Sequence, residues 1–87
     1  MPIVKFTTAL SRFFPGLQDS YFEGDQLENI IDNVDHQHPG IKGYILDEHG
    51  RLRKHVNVFI DGKLMQEESG LIGRDSEIFI IQALSGG

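Results

Sequence analysis

The chain has 87 residues, of which 39% are hydrophobic and 24% charged, which is enough for one small globular domain with one core and too apolar for a disordered segment. A formal net charge of −5 argues against a nucleic-acid-binding protein, because neutralising phosphates requires a basic surface. The absence of cysteine excludes disulfides and a cysteine nucleophile.

The chain opens with the pattern of a β-hairpin. Residues 3–9 alternate as in a strand, with Val4 and Phe6 on the inward side. Pro15-Gly16 marks a turn, and residues 20–22 read as a short second strand. The two strands are close enough in sequence to pair as a hairpin.

One amphipathic helix follows. Asp25 and Glu28 have the spacing of a capping box at a helix start. The next apolar residues recur at helical spacing and form one stripe: Leu27, Ile30, Ile31 and Val34. Pro39-Gly40 predicts the end of the helix.

The second half of the chain predicts three further strands. They are expected at residues 41–46, 55–60 and 77–83. Asp61-Gly62 is a strong signal for a tight turn, and residues 63–75 read as a polar, glycine-bearing connection. The order β-β-α-β-β-β predicts a two-layer α+β domain in which one helix packs on one face of a sheet.

Side-chain alternation divides this predicted sheet into a buried face and an open face. The residues expected to pack on the helix are Val4, Phe6, Val56, Val58, Ile60, Ile78 and Ile80. The same alternation directs Phe59, Phe79 and Ile81 to the open face, and Phe14 is a further exposed candidate from the first loop. Clustered exposed apolar residues usually mark a protein contact, so these four are predicted to form a partner-binding patch.

The chain ends in Ala83-Leu84-Ser85-Gly86-Gly87, directly after an apolar strand. A core strand followed by small residues anchors a terminus and lets it project, and glycine can enter a narrow channel because it has no Cβ. The reactive group of such a tail is the terminal carboxylate of Gly87. We expect residues 1–83 to form the domain and residues 84–87 a flexible tail. A Gly-Gly end can also be incidental, since many chains end in small, disordered residues.

Other candidate sites in the sequence are weaker. His36 and His38 lack the spacing of a helical metal-binding pair, and no serine lies in a nucleophile motif. A short basic run precedes the clearest strand and comprises Arg51, Arg53, Lys54 and His55. This run suits an acidic partner or a phosphate, or else a solvated hairpin. We therefore expect no metal site and no catalytic residue.

The chain resembles the β-grasp, ubiquitin-like sulfur carriers, a family that includes the small subunit of molybdopterin synthase and the carriers of thiamine and cysteine biosynthesis. The resemblance covers the whole chain and is most specific at residues 55–62, 74–77 and 83–87. The first and last of these look most like the cysteine-biosynthesis branch. The resemblance implies a β-grasp fold, a mixed sheet packed on one helix. It also implies that Phe59 and Ile81 match the partner-binding apolar patch of ubiquitin-like proteins.

The resemblance implies a function as well. An E1-like activating enzyme would use ATP to adenylate the Gly87 carboxylate. A persulfide or sulfurtransferase would then convert it to a thiocarboxylate, from which an acceptor enzyme takes sulfur for cysteine, molybdopterin, thiamine or a related product. Leu84, Ser85 and Gly86 would thread through the partner's site. No maturation cut would be needed, since this sequence ends at Gly-Gly.

On this reading the chain is a carrier rather than an enzyme and binds no cofactor of its own, because ATP belongs to the activating enzyme. We expect the protein to be a monomer when free and to bind no nucleic acid. We also expect it in the cytoplasm and away from membranes, because the sequence shows no leader pattern and no apolar run of membrane-spanning length. Two alternatives stay open. One is a ubiquitin-like modifier that forms isopeptide bonds with lysines, and the other is a non-covalent binding module.

Overall fold

The structure, a computed structural model, describes residues 1–65 and 72–82. Within these ranges five strands form one mixed sheet, accompanied by three helices. The strands are β1 (Ile3–Phe6), β2 (Ser20–Tyr21), β3 (Val56–Ile60), β4 (Lys63–Leu64) and β5 (Glu77–Gln82). The helices are α1 (Thr8–Phe13), α2 (Leu27–Gln37) and α3 (Ile41–Ile45).

The last strand lies in the middle of the sheet. The strand order is β2-β1-β5-β3-β4, in which β5 runs parallel to β1 and antiparallel to β3. The hairpin of β1 with β2 and that of β3 with β4 flank this centre and are both antiparallel. The predicted α+β class and mixed β-grasp sheet are confirmed. The strand that leads to the chain end is therefore held by hydrogen bonds on both sides.

Helix α2 closes one face of the sheet and forms the core with it. All four residues of its predicted stripe are at most 1% exposed. They join one cluster with Val4, Val58, Ile78 and Ile80, which are all fully buried. Burial of one such side chain contributes about 1.5–3 kcal/mol. The predicted inward positions are confirmed, with Phe6 and Ile60 half-buried against the cluster.

The strand predicted at residues 41–46 is wrong, because this segment is helix α3. Ile41 and Ile45 are both fully buried, and their four-residue spacing puts them on one side of a helix. An Asp35 side-chain oxygen on α2 accepts hydrogen bonds from the backbone nitrogens of Gly40, at 3.0 Å, and Lys42, at 3.1 Å. This contact satisfies two of the free N–H groups that a helix start leaves.

The first loop also contains an unpredicted helix. Strand β1 ends at Phe6 rather than at residue 9, and α1 follows, burying Leu10. The capping box predicted at the start of α2 does not form. Gln26 is the N-cap without a side-chain cap bond, while the backbone carbonyl of Asp25 accepts a 2.8 Å hydrogen bond from the backbone nitrogen of Ile72.

The predicted turn at Asp61-Gly62 is confirmed. Both residues have positive φ, 52° and 83°, as a two-residue hairpin turn requires. This turn starts the hairpin to β4, a two-residue strand that the sequence pattern did not indicate. The last strand is described to Gln82, so Ala83, predicted as its final residue, lies outside the described residues.

Candidate functional site

The open face of the sheet carries an apolar hollow. Residues Phe59 and Phe79 are register partners between β3 and β5, and Ile81 follows two residues after Phe79 on the same face. All three are half-buried, lie outside the core cluster, and line a hollow of about 270 Å³ together with Gly62 and Glu77. Their predicted outward placement is confirmed.

The rim of this hollow has two different sides. On the β1 side Lys5 is the register partner of Phe79, and its ammonium group lies 3.5 Å from a Glu77 carboxylate oxygen. On the β4 side Leu64 is the register partner of Phe59 and is 46% exposed. Leu64 extends the apolar surface and was missed from sequence, because a two-residue strand is too short to show alternation.

Phe14 does not lie at this hollow. It is half-buried and packs against the core from the helical layer, with its ring edge-on to Tyr44 at a centroid distance of 5.2 Å. Its neighbour Phe13 stacks on the same tyrosine at 5.4 Å and is 53% exposed. The placement of Phe14 in the patch was wrong because the segment before it is a helix rather than an open loop. The hollow is therefore formed by Phe59, Phe79 and Ile81.

The hollow is continuous in sequence with the chain end. Ile81 precedes Gln82, the last described residue of β5, and Gln82 is the register partner of Val56 at the start of β3. The predicted tail residues Leu84, Ser85, Gly86 and Gly87 lie outside the described residues, so their roles stay predictions. The hollow thus lies on the strand whose last described residue is Gln82.

The basic run lies next to this strand end. Arg51, Arg53, Lys54 and His55 are all exposed, and they immediately precede Val56, the partner of Gln82. The backbone nitrogen of Arg53 donates to the carbonyl of Ile45 at 3.0 Å, and the Arg53 Nε donates to the carbonyl of Gly43 at 2.6 Å. The run is therefore fixed against helix α3.

Asp47 organises the turn that leads into the basic run. One of its carboxylate oxygens accepts hydrogen bonds from the backbone nitrogens of Arg51, at 3.0 Å, and His49, at 2.8 Å. These two bonds, the one from Arg51 first, lower the pKa of the Asp47 carboxyl below its ordinary value. The ionised carboxylate thus stabilises the folded turn.

Asp47→Ala is expected to destabilise the protein at neutral pH and to matter less in acid. A carboxyl group whose pKa is lower in the folded state than in the unfolded state stabilises the fold at pH values above its unfolded-state pKa. This stabilisation is lost as the pH falls through the folded-state pKa. The difference in thermal midpoint between wild type and variant should narrow between about pH 5 and pH 2. A constant Asp47→Ala difference would contradict the assignment.

The described residues contain neither an arranged group of metal-ligating side chains nor a membrane-spanning helix. Within residues 1–65 and 72–82 no group of three or more His, Cys, Asp or Glu side chains is arranged to hold a metal ion. His36 and His38 belong to that searched part. In the same part of the chain no helix is long and apolar enough to cross a membrane.

Comparison with known proteins finds similarity in structure only. No family model matches the sequence, and no curated protein matches it significantly. One chain of the Amycolatopsis orientalis BexX/CysO complex matches with a TM-score of 0.87 and 23% identity over 100% of both chains. Mycobacterium tuberculosis CysO matches with a TM-score of 0.83 and 20% identity, over 97% of this chain and 100% of that one.

An archaeal protein shares the same architecture. The small archaeal modifier protein 1, SAMP1, from Methanosarcina acetivorans matches with a TM-score of 0.81 and 20% identity, over 99% of this chain and 95% of that one. The parallel pair at the sheet centre, the single long helix across one face and these full-length matches agree. The chain has the ubiquitin-like β-grasp fold of the CysO and SAMP1 structures.

Proposed function

We propose that this protein is a sulfur carrier whose Gly87 carboxylate is adenylated by an ATP-dependent, E1-like activating enzyme and converted to a thiocarboxylate. The observation that carries the proposal is the course of β5. This central strand presents Phe79 and Ile81 in the open hollow and ends at Gln82, immediately before the sequence Ala-Leu-Ser-Gly-Gly.

Such an arrangement suits a protein that acts inside a partner's site while its body docks outside. Extended chain spans about 3.3–3.6 Å per residue, so residues 83–87 can reach roughly 17 Å beyond the sheet. Glycine at the end lets the backbone approach a reacting group closely. The hollow offers the apolar contact surface that protein interfaces bury at their centre.

The chemistry requires activation, because a carboxylate carbon is a poor electrophile. In the partner's site a Gly87 carboxylate oxygen attacks the α-phosphorus of ATP, and pyrophosphate leaves. Hydrosulfide then attacks the carbonyl carbon of the acyl adenylate and AMP leaves, which gives the thiocarboxylate. With a persulfide donor the same attack gives an acyl disulfide, which a second thiol cleaves to the thiocarboxylate and a disulfide.

Catalysis in this scheme belongs to the partners. Gly87 is a covalent substrate site, ATP binds to the activating enzyme, and a separate acceptor enzyme takes the sulfur. The fold is consistent with a small protein that works through such partners, since one similar chain comes from the BexX/CysO complex.

A ubiquitin-like modifier is the second candidate. It is favoured by the similarity to SAMP1, which is named a modifier protein. A modifier would use the same activation at Gly87 but end in an isopeptide bond to a lysine. A non-covalent binding module, by contrast, would bind its partner equally well without Gly86-Gly87.

The experiment that tests the proposal combines the protein with an E1-like activating enzyme of the same host, ATP and sulfide. We expect pyrophosphate release that depends on this protein, and a C-terminal peptide in which one oxygen is replaced by sulfur. Conjugates to lysines instead of sulfur incorporation would favour the modifier. Absence of pyrophosphate release, with an enzyme that is active on another carrier, would contradict both.

A further inference from the structure

We propose that the basic run Arg51, Arg53, Lys54 and His55 is a second docking element, which binds an acidic protein surface bordering the partner site that receives the tail. This inference rests on the proposed function and extends it to the charge of the partner. The hollow alone does not define how a partner is oriented along β5, whereas a charged element at one end of the strand does.

The run stands at the tail end of the sheet. It immediately precedes Val56, the register partner of Gln82. At the opposite end of the same strand pair the charges are mixed, because Asp61 and Glu77 lie there together with Lys63 and with Lys5, which is paired to Glu77. The cations of the run thus lie beside Gln82, the last described residue of β5.

The positive charge of the run is concentrated in a short segment and exposed at the surface. Three of the chain's eight lysines and arginines lie at positions 51, 53 and 54, in a protein of net charge −5. In the described part of the chain the ion pairs join Lys5 to Glu77 and Lys42 to Asp32, and the His49 imidazole lies 3.7 Å from a Glu48 carboxylate oxygen. The run's own cations take part in none of these three contacts. Their side chains are exposed and, apart from the bond of Arg53 Nε to the Gly43 carbonyl, can meet a partner's carboxylates.

The backbone of the run is also fixed before binding. The carbonyl of Arg51 accepts a 2.7 Å hydrogen bond from the nitrogen of Asp47, and the carbonyl of Arg53 accepts one of 3.0 Å from Val56. Together with the contacts of Arg53 to helix α3, these bonds present the cations on a rigid frame. Less conformational entropy is then lost on binding.

A phosphate group fits this surface less well than protein carboxylates do. Arg53 shares a surface depression with Lys42 and with the acidic residues Asp35, Asp47 and Glu48, so the depression itself offers a compact dianion no excess of positive charge. An acidic protein surface can instead spread its carboxylates along the run and pair with the arginines through two hydrogen bonds each. Charge complementarity of this kind raises association rates and fixes the orientation of partners.

The test compares two charge-reversal variants that change the net charge equally. One is Arg51→Glu with Lys54→Glu, which spares the Arg53 contact to Gly43. The matched control is Lys63→Glu with Arg74→Glu, two exposed cations on β4 and before β5. The readout is kcat/KM for adenylation by the host's E1-like enzyme at low and high salt, with thermal midpoints measured for both variants.

We expect the first variant to lose roughly tenfold or more in kcat/KM at low salt, through KM, while the control stays within about twofold of wild type. The loss should shrink as salt screens the charges. If the first variant does not fold, the neutral pair Arg51→Gln with Lys54→Gln replaces it, with a smaller loss in the same direction.

Equal effects of test and control variants, or no loss in either, would overturn this inference alone. A wild-type protein that is not adenylated would overturn the proposed function and this inference together.

Discussion

Deletion of Gly87 is expected to reduce adenylation by the activating enzyme by about 10²-fold or more. The shortened chain still ends in a glycine carboxylate at Gly86, so the reacting group is unchanged. Its position is withdrawn by about 3.5 Å, the length of one extended residue. An offset of about 1 Å already costs such reactions about 10²-fold. The variant should be assayed by ATP–pyrophosphate exchange.

Replacement of Gly87 by alanine is the matched control for chain length. It keeps the carboxylate at full reach but adds a Cβ, and the loss should therefore be smaller than that caused by the deletion. Both variants should unfold at the wild-type temperature, because the core cluster includes residues no later than Ile80 among those described. If deletion of Gly87 left the rate of ATP–pyrophosphate exchange at the wild-type value, adenylation would not depend on the length of the tail and the prediction would be contradicted.

Introduction of a carboxylate into the apolar hollow is expected to have the second largest effect. Phe59→Asp and Ile81→Asp should each lower kcat/KM for adenylation by about 30-fold, equivalent to about 2 kcal/mol of docking energy. Both side chains are half-buried in the hollow and lie outside the core cluster. The stability of either variant should therefore fall by only about 1 kcal/mol.

The control for these variants is Phe13→Asp. Phe13 is an exposed phenylalanine that stacks on Tyr44 of helix α3, so its substitution adds the same charge in the helical layer. We expect kcat/KM to stay near wild type. An equal loss at Phe13 would mean that the effect reflects added charge rather than docking. Complete unfolding of the Phe59 or Ile81 variant would show that these side chains support the core.

Two kinds of sequence signal predicted the core and the hollow correctly. The helical spacing of Leu27, Ile30, Ile31 and Val34 gave the buried face of α2. The alternating direction of successive side chains along β3 and β5 separated the core from the open face, because a strand with one buried face has its register fixed by that burial. The side chains of Phe59, Phe79 and Ile81 were therefore placed on the open face before the pairing of the strands was known.

Short segments were predicted less well, because their conformation depends on distant contacts. Ile41, Tyr44 and Ile45 have strand-forming side chains, yet the burial of both isoleucines and the Asp35 cap favour helix α3. Phe14 was misplaced for the same reason, since it directly follows helix α1 and contacts Tyr44 of helix α3. Asp25 failed as a helix cap because the helix begins after Gln26.

The roles of the tail residues were predicted from the sequence and stay predictions. Gly87 and the residues before it, Leu84, Ser85 and Gly86, lie outside the described residues. The part that the structure adds is the position of Gln82, at the end of a central strand and beside the basic run.

The intact mass of the protein purified from its own host shows whether Gly87 carries sulfur. We expect a fraction of molecules in which one oxygen is replaced by sulfur, with the change confined to the C-terminal peptide that ends at Gly87. A treatment that hydrolyses thiocarboxylates should restore the unmodified mass. The proposed function would be contradicted if, in cells with an active E1-like enzyme and a sulfur source, the C-terminal peptide carried only the ordinary carboxylate or continued beyond Gly87.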